Sequence, residues 1–292
     1  MKAPRPSEFG VMGSSGASDH PWDRAAQGWN SHTAIIRAWL QDATAAMLDA
    51  ARIGPDSRVL DIAAGAGDQT LDIAHRVGRH GQVLATDISA LILALANDNA
   101  RAAGFDTVET RVADAQKLGL AGAGFDAAVC RLGLMFCPRP LEALIEARAA
   151  LRPGGRFSAL VFSQARVNPC LGIVMSTALQ HAGLSPMPAV EAGTLMSLGE
   201  PGLLERLLRE AGYTDIAVEP VSAPMRLPTS RHYVDFIRTS ASPIMEILAP
   251  LSVAAQADAW ADMAERLRSF DTLLGWEGPN GLLLAAASSA GD

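Results

Sequence analysis

The stretch Val59-Leu60-Asp61-Ile62-Ala63-Ala64-Gly65-Ala66-Gly67-Asp68-Gln69-Thr70 decides how this chain is read. Residues 58–62 alternate and branch like a strand buried in a parallel sheet. Gly65 and Gly67 permit a tight turn with close backbone approach, and helical spacing begins at Thr70-Leu71-Asp72-Ile73-Ala74. A strand, a glycine turn and a helix in that order hold a ligand against backbone N–H groups at a helix N-terminus.

What the turn lacks narrows the ligand. A dinucleotide fingerprint carries a third glycine three residues after the second, and that position is Thr70. A phosphate-cradling loop needs a lysine that the turn does not have. Asp61 and Asp68 would repel a pyrophosphate and suit a ligand with an ammonium or sulfonium group, which favours S-adenosylmethionine over NAD.

Downstream, Gly81-Gln82-Val83-Leu84-Ala85-Thr86-Asp87 reads as a second strand ending in an acid about 20 residues after the turn, the spacing at which a carboxylate meets ribose hydroxyls. A solvated strand-end carboxylate is the other reading of Asp87. The stretch from Thr107 to Leu118 gives a third strand followed by Asp114-Ala115. The stretch from Phe125 to Phe136 is a fourth strand and its exit. A helix from Pro140 ends at Leu151-Arg152-Pro153-Gly154-Gly155, before a fifth strand over Phe157–Ser163.

In this motif order, over roughly residues 20–163, the chain resembles the class I S-adenosylmethionine-dependent methyltransferases. It is most similar to the small-molecule branch that includes the ubiquinone/menaquinone-biosynthesis enzymes. The resemblance implies a Rossmann-like α/β fold: a seven-stranded mostly parallel sheet, helices on both faces, an N-terminal helical cap and helical lid insertions. It implies cofactor contacts from Asp61, Ala63, Gly65, Gly67 and Asp87, Ile88 along the adenine, Asp114 and Ala115 at the adenine edge, and Arg131 nearby. Asp114 could instead only cap the next turn. The Asn-Pro-Pro-Tyr tetrad of enzymes that methylate nucleic-acid or protein amino groups is absent after the fourth strand, which leaves a small organic acceptor.

Exit from a strand's carboxyl end faces the crevice of an open α/β sheet, so Arg131, Leu132, Met135 and Phe136 border the methyl group or the acceptor. Arg131 either pairs an anionic acceptor or bridges Asp126 or a helix C-terminus. Trp22 and Trp29, on a helical segment opening near His20, are candidate pocket walls or simply staples of that helix to the core. Met175, Met196 and Met225 read as pocket lining or plain core filling. A base, where one is needed, would be His232 or His181, with His20 and His32 in the cap; Tyr233 and Phe236 beside His232 suggest a lid face lining the pocket.

The 292 residues suit one large domain. Residues 1–19 read as a disordered tail and 20–292 as a single methyltransferase domain. Within it, 20–55 form the cap, 56–163 the cofactor-binding core, and 164–200 and 223–275 the lid insertions. A net charge of −7 argues against a broad phosphate-binding surface and hence against nucleic-acid partners. Cys130, Cys137 and Cys170 form no CxxC pair and suggest reduced thiols in the cytoplasm and no metal site. No stretch reaches the roughly 18–20 apolar residues of a membrane span. The expectation is a cytoplasmic methyltransferase, monomer or homodimer, acting on a small aromatic or lipophilic metabolite by in-line displacement. Its rivals are a non-catalytic S-adenosylmethionine-binding regulatory protein, a partner-binding scaffold and an NAD-dependent oxidoreductase.

Overall fold

The computed structural model describes residues 21–185 and 193–290. The tail expected over residues 1–19, and His20, lie outside them. Helices α1 (Pro21–Ser31) and α2 (Thr33–Ala50) lead into β1 (Arg58–Ile62), α3 (Asp68–Val77), β2 (Gln82–Asp87), α4 (Ala90–Ala102), β3 (Val108–Val112), β4 (Phe125–Arg131), α5 (Pro140–Ala150) and β5 (Leu151–Phe162). After α6 (Pro169–His181) and α7 (Leu203–Glu210) come β6 (Tyr213–Ser222), β7 (Met225–Leu227), α8 (Ser230–Ser240), α9 (Ser242–Leu248) and α10 (Val253–Arg266). The chain closes with β8 (Asp271–Thr272), β9 (Gly275–Gly278) and β10 (Gly281–Ser289). Pro140, Pro169 and Pro243 each open a helix, where the missing N–H costs nothing.

The main sheet has seven strands in the order β3-β2-β1-β4-β5-β10-β6. β1 pairs parallel with β2 and β4, whereas β10 runs antiparallel to β5 and β6. Strand order reverses between β1 and β4, and the crevice outside their carboxyl ends is where ligands bind in such sheets. Val59, Leu60, Ala127, Ala128 and Val129 are buried at the centre, as strands covered on both faces require.

Two features depart from the sequence reading. β5 begins at Leu151, which pairs with Phe125; pairing then slips, to resume at Ala127 with Arg156. The Arg152-Pro153-Gly154-Gly155 turn is thus a bulge within a strand rather than a boundary before it, because Leu151 finds a partner on β4 that local composition does not reveal. A second sheet, β7-β9-β8, was not expected; it sits within the segment between β6 and β10 that reads as helical in sequence, because strands of two to four residues carry almost no periodic signal.

Candidate functional site

The switch point holds a cavity of about 430 Å³. Its floor is the turn after β1. Ala63 and Gly65 take positive φ, 54° and 59°, which turns the backbone toward the cavity, and Gly65 N–H donates to Asp87 Oδ2 at 3.0 Å. Ser89 N–H donates to Asp87 Oδ1 at 3.0 Å, so the turn and the end of β2 share one buried carboxylate that also faces the cavity. Ile88, Asp114 and Ala115 line the same space. Asp114 Oδ1 accepts from Gln116 N–H at 2.9 Å and so caps the following turn, as one of its two sequence readings has it, while the residue lines the cavity.

Three expected contacts need correction. Asp61 does not reach the cavity: it is fully buried, and its carboxylate accepts from Thr70 Oγ1 at 2.6 Å and Gln69 Nε2 at 3.1 Å. Burial pushes its pKa up to about 6 against those hydrogen bonds. It shapes the turn instead of touching a ligand, and Thr70, where a dinucleotide fingerprint has glycine, holds that acid. Gly67 likewise lies behind the lining; at φ 87° it starts α3, and a Cβ there would come within 3.0 Å of Ala96 Cβ. Asp68 does line the cavity but is no free anion, because Arg131 and Arg37 neutralise it at 2.8 and 2.9 Å.

Arg131 is buried between Asp68 and Thr44 Oγ1, the latter 2.8 Å from Nη1, while lining the cavity. The alternative partner, Asp126, is engaged elsewhere, accepting from Arg152 Nε at 2.6 Å and Arg58 N–H at 2.8 Å. Asp126 sits at the opposite end of β4 from Arg131, which a seven-residue strand places beyond reach.

The histidine candidates do not reach the site. His181 Nε2 lies 3.1 Å from Asp262 on α10. His232 is exposed and bonds Thr229 Oγ1 at 2.8 Å. His32 bonds Gly28 O at 2.8 Å and abuts Phe236. None lines the cavity, although Tyr233 and Phe236, one and four residues beyond His232, do point inward.

The tryptophans, by contrast, form walls. Trp22 and Trp29 line the cavity and an adjoining apolar chamber of about 60 Å³, and Trp22 meets Phe136 edge-on at 4.8 Å. Met135 and Met225 line the chamber, whereas Met175 and Met196 pack into the core. Trp39, Phe162, Tyr233 and Phe236 complete the wall; Trp39 and Phe162 were missed as site residues, whereas Tyr233 and Phe236 stand where the lid face beside His232 was expected. The inward spacing of Tyr233, Phe236 and Ile237 along α8 was the available signal for that face.

Residues 59–155 match the family profile of a methyltransferase domain. Over that third of its length the chain is similar to a methyltransferase domain. Among relatives, the ubiquinone/menaquinone biosynthesis C-methyltransferase UbiE of Pseudomonas fluorescens (strain Pf0-1) is 38% identical over 109 residues, 37% of this chain and 43% of the relative. The chain thus matches less than half the length of that enzyme. The chain also shares its fold with phosphoethanolamine N-methyltransferase 2 of Haemonchus contortus, solved with phosphomonomethylethanolamine and S-adenosylhomocysteine. The two align at TM-score 0.57 and 15% identity over 94% of this chain and 61% of that one. The cyclase SpnF aligns at TM-score 0.56 and 20% identity over 92% and 97%. A cyclase on the same fold means that the activity must be argued from the site.

The site suits S-adenosylmethionine. A buried strand-end carboxylate can take ribose hydroxyls, a turn at positive φ brings backbone close, and the wall beyond is apolar and aromatic. Among the described residues no group of acids, cysteines and histidines could hold a metal ion, and no helix is long and apolar enough to cross a membrane.

Proposed function

We propose that the chain transfers a methyl group from S-adenosylmethionine to a small, largely apolar acceptor. One observation carries this reading: a carboxylate-bearing cavity at the switch point shares Trp22, Trp29, Leu132 and Phe136 with an apolar chamber, so a polar cofactor and an apolar acceptor would meet across one wall. S-adenosylmethionine, when bound, supplies an electrophilic methyl group on a sulfonium sulfur.

The residues bind and orient. Asp87 takes the ribose hydroxyls, Asp114 and the Ala115 N–H take the adenine edge, Ile88 lies along the ring, and Ala63 to Gly65 approach through backbone. Arg131 is a positioning residue that fixes the start of α3 through Asp68. Trp22 and Trp29 exclude water, which strengthens alignment of the reacting groups. Residues 164–200 and 223–275 act as the acceptor-side lid, supported by chamber lining from Leu171 and Val174 on α6 and from Tyr233 and Phe236 on α8. The relatives named for ubiquinone and menaquinone biosynthesis make a quinone-like ring one acceptor to try.

Calorimetric titration with S-adenosylmethionine, S-adenosylhomocysteine and NADH tests the cofactor half. Micromolar binding of both sulfur nucleotides, lost in Asp87→Ala, supports it, and binding of NADH alone overturns it. Mass-spectrometric detection of a methylated product across an acceptor panel tests the transfer; tight cofactor binding with no product on any acceptor would favour a regulatory binding protein.

A further inference from the structure

Few polar groups reach the wall of the apolar chamber, and two of them, the half-buried Trp29 indole N–H and the Tyr233 hydroxyl, have no hydrogen-bond partner among the described residues. On its wall, Trp39 Nε1 donates to Ala223 O at 2.7 Å, Ser240 Oγ to Phe236 O at 2.5 Å and Asn280 Nδ2 to Gly278 O at 3.2 Å. The Tyr233 hydroxyl, on a residue only 2% exposed, has no hydrogen-bond partner among the described residues. Buried hydroxyls are nearly always bonded, since an unmet donor loses its hydration without return.

The ring that carries this hydroxyl is rigidly held. Tyr233 stacks on Trp276 with centroids 4.7 Å apart and planes 27° apart, and Trp276 Nε1 donates to Leu267 O at 2.8 Å. The small sheet β7-β9-β8 supplies that tryptophan, so the unexpected sheet sets the aim of the phenol. Burial also raises the phenol's pKa above its ordinary value, so it remains an O–H donor at physiological pH.

We propose that this chamber is the acceptor subsite and that Tyr233 is its specificity-determining residue, donating from its hydroxyl to a carbonyl or ether oxygen on an otherwise apolar acceptor. The assignment rests on the methyl-transfer reading of the adjoining cavity. A site built around one donor rejects analogues that lack the matching oxygen, because the donor is then left buried and unpaired.

Two probes of similar size test this: acetophenone, which offers a carbonyl oxygen, and cumene, in which a methyl group stands in place of that oxygen on a tetrahedral carbon. Ligand-observed NMR titration gives their affinities for the full chain saturated with S-adenosylhomocysteine. Tyr233→Phe, which keeps the stacked ring, is expected to weaken acetophenone roughly tenfold and leave cumene unchanged. Val174→Phe, which fills the chamber, is expected to abolish binding of both probes while S-adenosylhomocysteine affinity stays at the wild-type value, which also shows the variant is folded. Equal acetophenone affinity in wild type and Tyr233→Phe, failure of both probes to bind wild type, or undiminished binding to Val174→Phe would each overturn the proposal. Failure of S-adenosylhomocysteine to bind the wild type would instead count against the cofactor reading, with the probe affinities measured without it still deciding the chamber.

Discussion

Arg131 Nη2 lies 2.8 Å from Asp68 Oδ2, a buried ion pair that ties the end of β4 to the first turn of α3. Nη1 of the same guanidinium reaches Thr44 on α2, so three elements around the cavity are joined by one side chain. Truncating one partner of a buried pair leaves the other charge uncompensated, and here only the half-exposed Arg37 would remain. Arg131→Met is expected to lower unfolding stability by about 3 kcal/mol and to weaken S-adenosylhomocysteine binding with it. Urea denaturation and calorimetry check this; an unchanged midpoint would refute the positioning role.

Asp87 accepts from the backbone N–H groups of Gly65 and Ser89 while facing the cavity. Asp87→Ala should therefore reduce S-adenosylmethionine affinity by roughly tenfold to a hundredfold, the scale of a charged hydrogen bond. Asp87→Asn keeps an oxygen for Gly65 and should lose less. Equal losses in the two variants would mean that the retained oxygen contributes nothing and that the carboxylate charge carries the whole effect.

Asp61 makes stability depend on pH. Its folded pKa of about 6 exceeds the unfolded value of 3.8, so proton binding favours the folded state. That contribution is complete below the unfolded value, declines as pH rises and is gone above about 6. Asp61→Asn cannot ionise and keeps an oxygen for Thr70. Relative to wild type, the variant should gain up to about 3 kcal/mol between acid and neutral pH, measurable by urea denaturation at several pH values. A difference that stays flat with pH would contradict the shift.

Gly28 lets α1 touch α8. A Cβ at that position would lie 1.8 Å from Thr239 O, so Gly28→Ala must push the helices apart and carry Trp22 and Trp29 with them. Overpacking of this kind costs roughly 1–3 kcal/mol. Acetophenone affinity should fall more than S-adenosylhomocysteine affinity, because the cavity carboxylates Asp68, Asp87 and Asp114 sit on α3, at the end of β2 and after β3, none of them on α1. The reverse order would detach α1 from the acceptor side.

His181→Ala and His232→Ala should leave methylated-product formation within about twofold of wild type, since neither ring lines the cavity or the chamber and loss of a solvent-exposed ion pair costs little. A pH–rate profile that loses an inflection near the ordinary histidine range in either variant would restore that residue as a base.

The sequence by itself determined the frame: strand, glycine turn and helix over residues 58–77, the acid closing β2, and the alternation that continues to β5. These are local properties, since side-chain period and the left-handed turn positions act within a few residues. Partners were a different matter. Arg131 meets Asp68 across 63 residues of chain, and Trp39 meets Ala223 across 184. The turn's acids were legible as a pair, but packing alone decided that Asp61 is enclosed by Thr70 and Gln69 while Asp68 is held by two arginines. His232 and Tyr233 are neighbours in sequence, yet a helix turns about 100° per residue and only Tyr233 faces inward, onto a tryptophan from a sheet too short to be seen in the pattern. A wall assembled from α1, α2, α6, α8 and α9 exists only once distant segments pack, because no local window records which faces will meet.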